Sequence, residues 1–229
     1  YDSAELTMQI ITFNCPGEFD INRFGNFDLF FIQRCPADML ATIPYSFDYI
    51  ENYSGRGLCI VSKDESMLKN ISNGEFSWYN ESADNTQGKH WQTLTTYIGP
   101  GCAHPTPYKF INGLPSYPEP DGSILDKHRI LQTKELINMI DISSMLVGDF
   151  HSADHQLEDE INLTKNNLVN HIEYGTFTCD NGYVDSIDKI ITTTDSLIVI
   201  SNVSVIKYDR EDPVGHWPIR FELKTILET

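Results

Sequence analysis

The chain has no long apolar run. "LFFI" (29–32) and "LIVI" (197–200) are as long as any, far short of the roughly 20 residues of a membrane-spanning helix. No membrane span is expected. Basic residues are scarce: 16 Lys and Arg stand against 33 Asp and Glu, for a net charge of -17. They are scattered singly. Affinity for a phosphate backbone rests on clustered Lys and Arg, so no nucleic-acid partner is expected. No CxxC pair or Cys/His spacing suggests a structural zinc site. No repeat, low-complexity segment or linker appears, so one domain spanning 1–229 is expected. Tyr1 is not followed by a basic and then apolar leader, so any signal peptide is expected to be removed already or never to have existed.

What is present suits a globular chain. Apolar residues make up 40% and charged residues 21% of 229 residues, enough for a buried core. "LTMQIITFN" (6–14), "FDLFFIQ" (27–33), "GLCIVS" (57–62), "FSWYN" (76–80) and "WQTLTTYIG" (91–99) read as strands. So do "SSMLVGD" (143–149), "DKIITTT", "SLIVISNVSVIKY" and "IRFELKTIL". "PADMLATI" (36–43) reads as a short helix with Pro36 in its first turn. Apolar residues at 124, 125, 130, 131, 136, 137 and 140 predict a helix from Ser123 to Ile140. An acidic helical piece follows at 152–168. Helices fall between more numerous strands. The pattern is α/β: a four-layer α-β-β-α sandwich, two mixed sheets face to face with helices outside.

Five cysteines (Cys15, Cys35, Cys59, Cys102, Cys179) leave at least one unpaired. Five N-x-S/T sequons occur, at Asn52, Asn70, Asn80, Asn162 and Asn202. An Asn- and Ser-rich chain makes such sequons by chance. Read together with the cysteines they suggest a secreted, disulfide-bearing glycoprotein; otherwise the protein is expected in the cytoplasm.

Read in order, the strand ends are "TFN" (12–14), "LFFIQR" (29–34), "GLCIVS" (57–62), "KFINGL" (109–114), "LVGDFH" (146–151), "SIDKII" (186–191) and "GHWPIRFEL" (215–223). The series resembles the endonuclease/exonuclease/phosphatase superfamily, the deoxyribonuclease I-like fold. There the stretches run "TFN", "QE", "GxAILS", "NTH", "GDFN", "RIDYI" and "SDHxP". The resemblance covers residues 8–224. It implies metal-assisted phosphoester hydrolysis, with a carboxylate holding Mg²⁺ and a His working beside an Asp.

Residue by residue, the resemblance carries over incompletely. Asn14, Asn112, Asp149, Asp188 and His216 keep the family's residue type. The metal-holding Glu falls on Arg34, the His of "NTH" on Leu114, the Asn of "GDFN" on His151, and the Asp of "SDH" on Gly215. His216 is therefore expected to lack the acid that orients it. The resemblance implies vestigial or weak catalytic positions at Asp149, His216 and Asn14, and ligand contacts at Arg34, Asn112 and His151. Each has a plainer role: Asp149 as a strand end, His216 as a packed ring, Arg34 as an ion-pair partner, His151 as a loop residue. His104 and His155 read as surface residues. Cys15 and Cys35 each follow a site position, so a disulfide between them is a further expectation.

These losses favour a catalytically inactive protein with a binding or structural role. Its partner would be an unknown protein or a small phosphorylated ligand, and it would need no cofactor. The alternative is a divergent metal-dependent phosphodiesterase or phosphatase acting on a non-nucleic-acid phosphoester, with Mg²⁺.

Overall fold

A computed structural model describes residues 7–15, 17–53, 55–79, 88–98, 106–115, 124–150, 154–172, 177–178, 184–185, 188–209 and 215–225. Its strands in chain order are β1 (Thr7–Asn14), β2 (Leu29–Pro36), β3 (Ser46–Tyr53), β4 (Arg56–Ser62), β5 (Ile71–Glu75), β6 (His90–Ile98), β7 (Thr106–Gly113), β8 (Ser144–Asp149), β9 (Leu168–Asn170), β10 (Phe177–Thr178), β11 (Val184–Asp185), β12 (Asp188–Thr193), β13 (Ile198–Val205), β14 (Gly215–His216) and β15 (Ile219–Thr225). The α-helices are α1 (Ile124–Ile137) and α2 (Asp154–Ile161).

Two six-stranded sheets form, ordered β13-β15-β1-β2-β4-β3 and β5-β6-β7-β8-β12-β9. A small third sheet, β11-β10-β14, carries one site residue. Both large sheets are mixed: β1–β2 and β7–β8 are parallel, and their other pairings are antiparallel.

Side chains alternate across a strand, and the core follows that period. Ile10, Leu29, Phe31, Phe110, Met145, Val147 and Ile190 meet between the sheets. Their neighbours Ile11, Phe30 and Ile32 face the outer side of the first sheet. Ile111, Leu146 and Ile191 face the outer side of the second. There Leu136 and Ile137 of α1 and Leu157 and Ile161 of α2 cover them.

The first sheet is covered differently. Its outer layer is two 3-10 segments, Ile21–Phe24 and Ala37–Thr42, with Phe27 and Ile43. The short helix expected from Pro36 is this second segment. It stops at Ile43, whose extended backbone (φ -78, ψ 115) suits a residue before a proline. The "FSWYN" strand is displaced: pairing involves Ile71–Glu75 instead, and Phe76 turns into the core while Trp78 stays exposed. The helix expected over 152–168 ends at Ile161. Asn162 follows with φ 55, a left-handed conformation that helix interiors do not adopt.

Cys15, Cys35 and Cys59 are buried free thiols, so the expected Cys15–Cys35 disulfide is not formed. Both residues sit in the outer apolar cluster of the first sheet. The Cys15 thiol turns to the Gly17 carbonyl and the Cys35 thiol to Pro36. Burial pushes the Cys15 thiol up to about 12. Among the sequons, Asn52 is buried with its amide nitrogen, so it presents no glycan acceptor, and its carbonyl accepts from the Lys89 and His90 amides at 2.6 Å. Among the described residues, no helix is long and apolar enough to cross a membrane.

Candidate functional site

The alternation that builds the inner core also builds the site. Stepping by two from Ile10 reaches Asn14, from Phe31 Gln33, from Phe110 Asn112, from Val147 Asp149, and from Ile190 back to Asp188. Asn14 pairs with Gln33 across β1–β2, and Asp188 with Asp149 across β12–β8. The layer between the sheets thus changes from apolar to polar at one end. His216 enters from β14, which pairs with Phe177 in the small sheet.

Four of these side chains meet. Asn14 Nδ2 donates to Asp149 Oδ2 at 2.6 Å. His216 Nδ1 lies 2.8 Å from Asp188 Oδ2. His216 Nε2 lies 3.4 Å from both Asn14 Nδ2 and Asp149 Oδ2. All four are buried, Asp149 completely. Burial alone would push the imidazole's pKa down. The charges of Asp188 and Asp149 and the hydrogen bond to Asp188 outweigh it and raise the pKa, with Arg34 pulling it partly back.

His216 therefore has a carboxylate partner, contrary to the sequence expectation. Gly215 cannot supply one, but Asp188 on β12 does. A chain-neighbour comparison misses this because the acid and the ring come from different sheets.

Arg34 stands one residue beyond the Asn14–Gln33 pair and is half-buried. Asn112 is fully buried and occupied within the fold. Its carbonyl accepts from Gln33 Nε2 at 2.8 Å, and its amide donates to Gln92 Oε1 at 3.2 Å and to the Ile32 carbonyl. Gln92 extends this amide chain to Asp48. Gln33 and Gln92 were not singled out in the sequence; their place on inner faces beside Asn112 is the signal that finds them. His104, His151 and the side chain of His155 lie outside the described residues, as do Cys102 and Cys179.

Asp149, Asp188 and His216 bring one ligand atom each within 4.8 Å of one another, close enough to hold a metal ion. They do not suit Mg²⁺. That ion demands octahedral oxygen coordination at about 2.0–2.1 Å. Two carboxylates are offered, a number that ion accepts when water completes its shell, but each is already in a hydrogen bond to Asn14 or His216. The carboxylates raise the imidazole's pKa against the cost of burial, and the Arg34 charge reaches it. Arg34 together with a protonated ring leaves the carboxylates little negative charge for a divalent ion.

Among the described residues, the buried carbonyl oxygen of Asn14 has no donor, and neither has that of Gln33. Buried acceptors of this kind are normally satisfied by water or a ligand.

No protein-family model matches the chain, and no curated protein matches it. Solved structures do. An endonuclease/exonuclease/phosphatase family protein from Bacteroides thetaiotaomicron aligns with TM-score 0.67 at 17% identity, over 98% of this chain and 100% of that one. A mannosyl-6-phosphatase from Bacteroides thetaiotaomicron aligns with TM-score 0.60 at 15% identity, over 94% and 99%. ANGEL2, a 2′,3′-cyclic phosphatase, aligns with TM-score 0.65 at 10% identity, over 97% of both chains. At such identities the likeness is one of architecture, and the protein has the endonuclease/exonuclease/phosphatase fold.

Proposed function

We propose that the protein hydrolyses a phosphoester that is not part of a nucleic acid. The observation that carries this reading is the His216–Asp188 pair, aimed at Asp149 and Asn14. An imidazole whose Nδ1 is fixed by a carboxylate, with Nε2 turned into a polar site, is the arrangement acid–base chemistry needs. Asp188 and Asp149 raise its pKa against the cost of burial, which favours the protonated ring that can donate.

The geometry supports the following roles. The orphaned Asn14 carbonyl and the Asp149 carboxylate can both accept from one water. That water's oxygen forms the new bond to phosphorus while its proton passes to Asp149. The bond from phosphorus to the leaving oxygen breaks, and His216 Nε2 gives that oxygen its proton. The products are a phosphate and an alcohol. Two of the structurally similar proteins are named as phosphatases, which agrees with the reaction class. A net charge of -17 disfavours a polyanionic substrate.

A second reading is a non-catalytic binding protein. Arg34 favours it, standing where the resemblance places the metal carboxylate.

The test is turnover of p-nitrophenyl phosphate and bis(p-nitrophenyl) phosphate with Mg²⁺, with Mn²⁺ and with chelator, for the wild type and His216→Ala. Turnover lost in the variant supports hydrolysis. A folded wild type inert under every condition supports the binding reading.

A further inference from the structure

Arg34 sits at an irregularity of β2. Ile32 pairs with Cys59 and Cys35 with Gly57, so Gln33 and Arg34 together lie opposite Leu58 alone. This is a β-bulge, a device that re-aims side chains and recurs next to active sites. The alternation of the strand changes across it. Ile32 and Cys35, three residues apart, both face the outer apolar cluster. Gln33 and Arg34 therefore fall together on the inner side, where Gln33 reaches Asn112.

The backbone of Arg34 is left-handed, with φ 56. A non-glycine residue pays about 1 kcal/mol or more for that conformation, and such residues cluster at functional sites. Its carbonyl is tied down by Arg56 Nη1 at 3.3 Å. Without the bulge, a guanidinium at position 34 would point into the Phe30–Ile32 face. The irregularity puts a strongly charged residue just past the Asn14–Gln33 pair, where its charge acts on His216.

We infer that Arg34 takes the place of the divalent cation in phosphate recognition, so that the site binds its phosphoester without metal. The inference rests on the hydrolytic reading for its substrate class. It does not need turnover, because anion capture precedes chemistry. A guanidinium offers two parallel N–H donors to two phosphate oxygens and is always charged. It thus supplies both the orientation and the charge neutralisation that a metal ion gives. Its effect on the buried imidazole agrees with this placement: the Arg34 charge opposes the two carboxylates at His216. With the imidazole protonated, the set Arg34, His216, Asp149 and Asp188 sums to neutrality; Asp149 gains the water's proton and His216 gives one to the leaving oxygen, so the set stays neutral through the reaction.

The experiment measures binding of orthovanadate and of inorganic phosphate by calorimetry in excess chelator. It uses wild type, Arg34→Asn and Arg34→Lys. Asparagine tolerates the left-handed backbone, so it removes the charge while leaving the bulge. Thermal melts confirm that each variant folds. Turnover is followed in parallel with chelator and with Mg²⁺, Mn²⁺ or Zn²⁺.

The expected result is binding by the wild type in chelator, weakened about tenfold or more in Arg34→Asn and only partly in Arg34→Lys. That pattern without turnover upholds Arg34 and removes hydrolysis. Turnover that needs added metal and survives Arg34→Asn overturns the inference and leaves hydrolysis standing. Equal binding by wild type and Arg34→Asn, or none by the folded wild type, also overturns it.

Discussion

The histidine at 216 shows how much a single side chain depends on distant residues. Burial works against its charged form, and Asp188 and Asp149 reverse the balance. The sign for stability follows. A histidine whose folded pKa is raised above 6.5 adds stability that is fully present below about pH 6.5 and is lost as pH rises through the folded value. Replacing it by His216→Gln should therefore lower the melting temperature more at pH 5.5 than at pH 8.5. An NMR titration of the ring should show its midpoint falling in Asp188→Asn, because Asp188 is the largest of the influences that raise it. A midpoint unmoved by that substitution would show that the pair does not form in solution. Asn14, Asp149 and His216 were legible as sequence positions, because each ends a strand or begins one. The role of Asp188 was not, since pairing between β14 and β12 residues is set by the packing of sheets. Cys15 and Cys35 misled for a related reason. They follow site residues in the chain, but the alternation of β1 and the bulge in β2 turn them to the outer apolar face.

At the level of the strand, the approach of β7 to β8 determines where Asp149 sits. Gly113 and Gly148 are register partners in this parallel pair. A Cβ on Gly148 would lie 1.9 Å from the Gly113 carbonyl oxygen, and one on Gly113 would strike Leu136 of α1 at 2.6 Å. The Leu136 side chain can shift, but the Gly113 carbonyl is backbone and cannot yield that much without separating the strands. Gly148→Ala should destabilise the fold by about 1–3 kcal/mol or more in urea denaturation. It should also weaken anion binding, because Asp149 is the next residue. Gly17→Ala, where a Cβ would meet nothing within 4 Å, is the control and should change neither. Equal stability of the two variants would refute the close approach. Strands buried on both faces, such as β2, β4 and β8, were readable as apolar runs. Strand β3, "SFDYIENY", was missed. It is the edge of its sheet and carries polar residues that hide its alternation. Strand β5, "ISNGE", was missed for the same reason and its signal misplaced onto Phe76 and Trp78.

Across the whole molecule, the fold persists at 10–17% identity to the structures it matches. Sandwich cores constrain side-chain type and volume at alternating positions more than identity. That explains why ordered strand-end motifs revealed the architecture although no family model matches. It also explains why the proposed anion site was less legible: the recognition we infer would depend on few residues and on a bulge that no propensity announces. Charge is the exception, since it acts at molecular scale and is read directly from composition. A net charge of -17 sets up a negative potential that repels polyanions beyond contact distance and is screened over about 8 Å at physiological salt. A small phosphoester can cross that field to reach Arg34; a nucleic-acid backbone brings tens of charges against it. Fluorescence anisotropy with a labelled 20-mer, single-stranded and duplex, should therefore show no binding at 0.15 M salt, in the same buffer where orthovanadate binds. Affinity for the oligonucleotide that falls steeply with added salt would reveal phosphate contacts through a basic surface, and would shift the substrate class of the Arg34 site to nucleic acid.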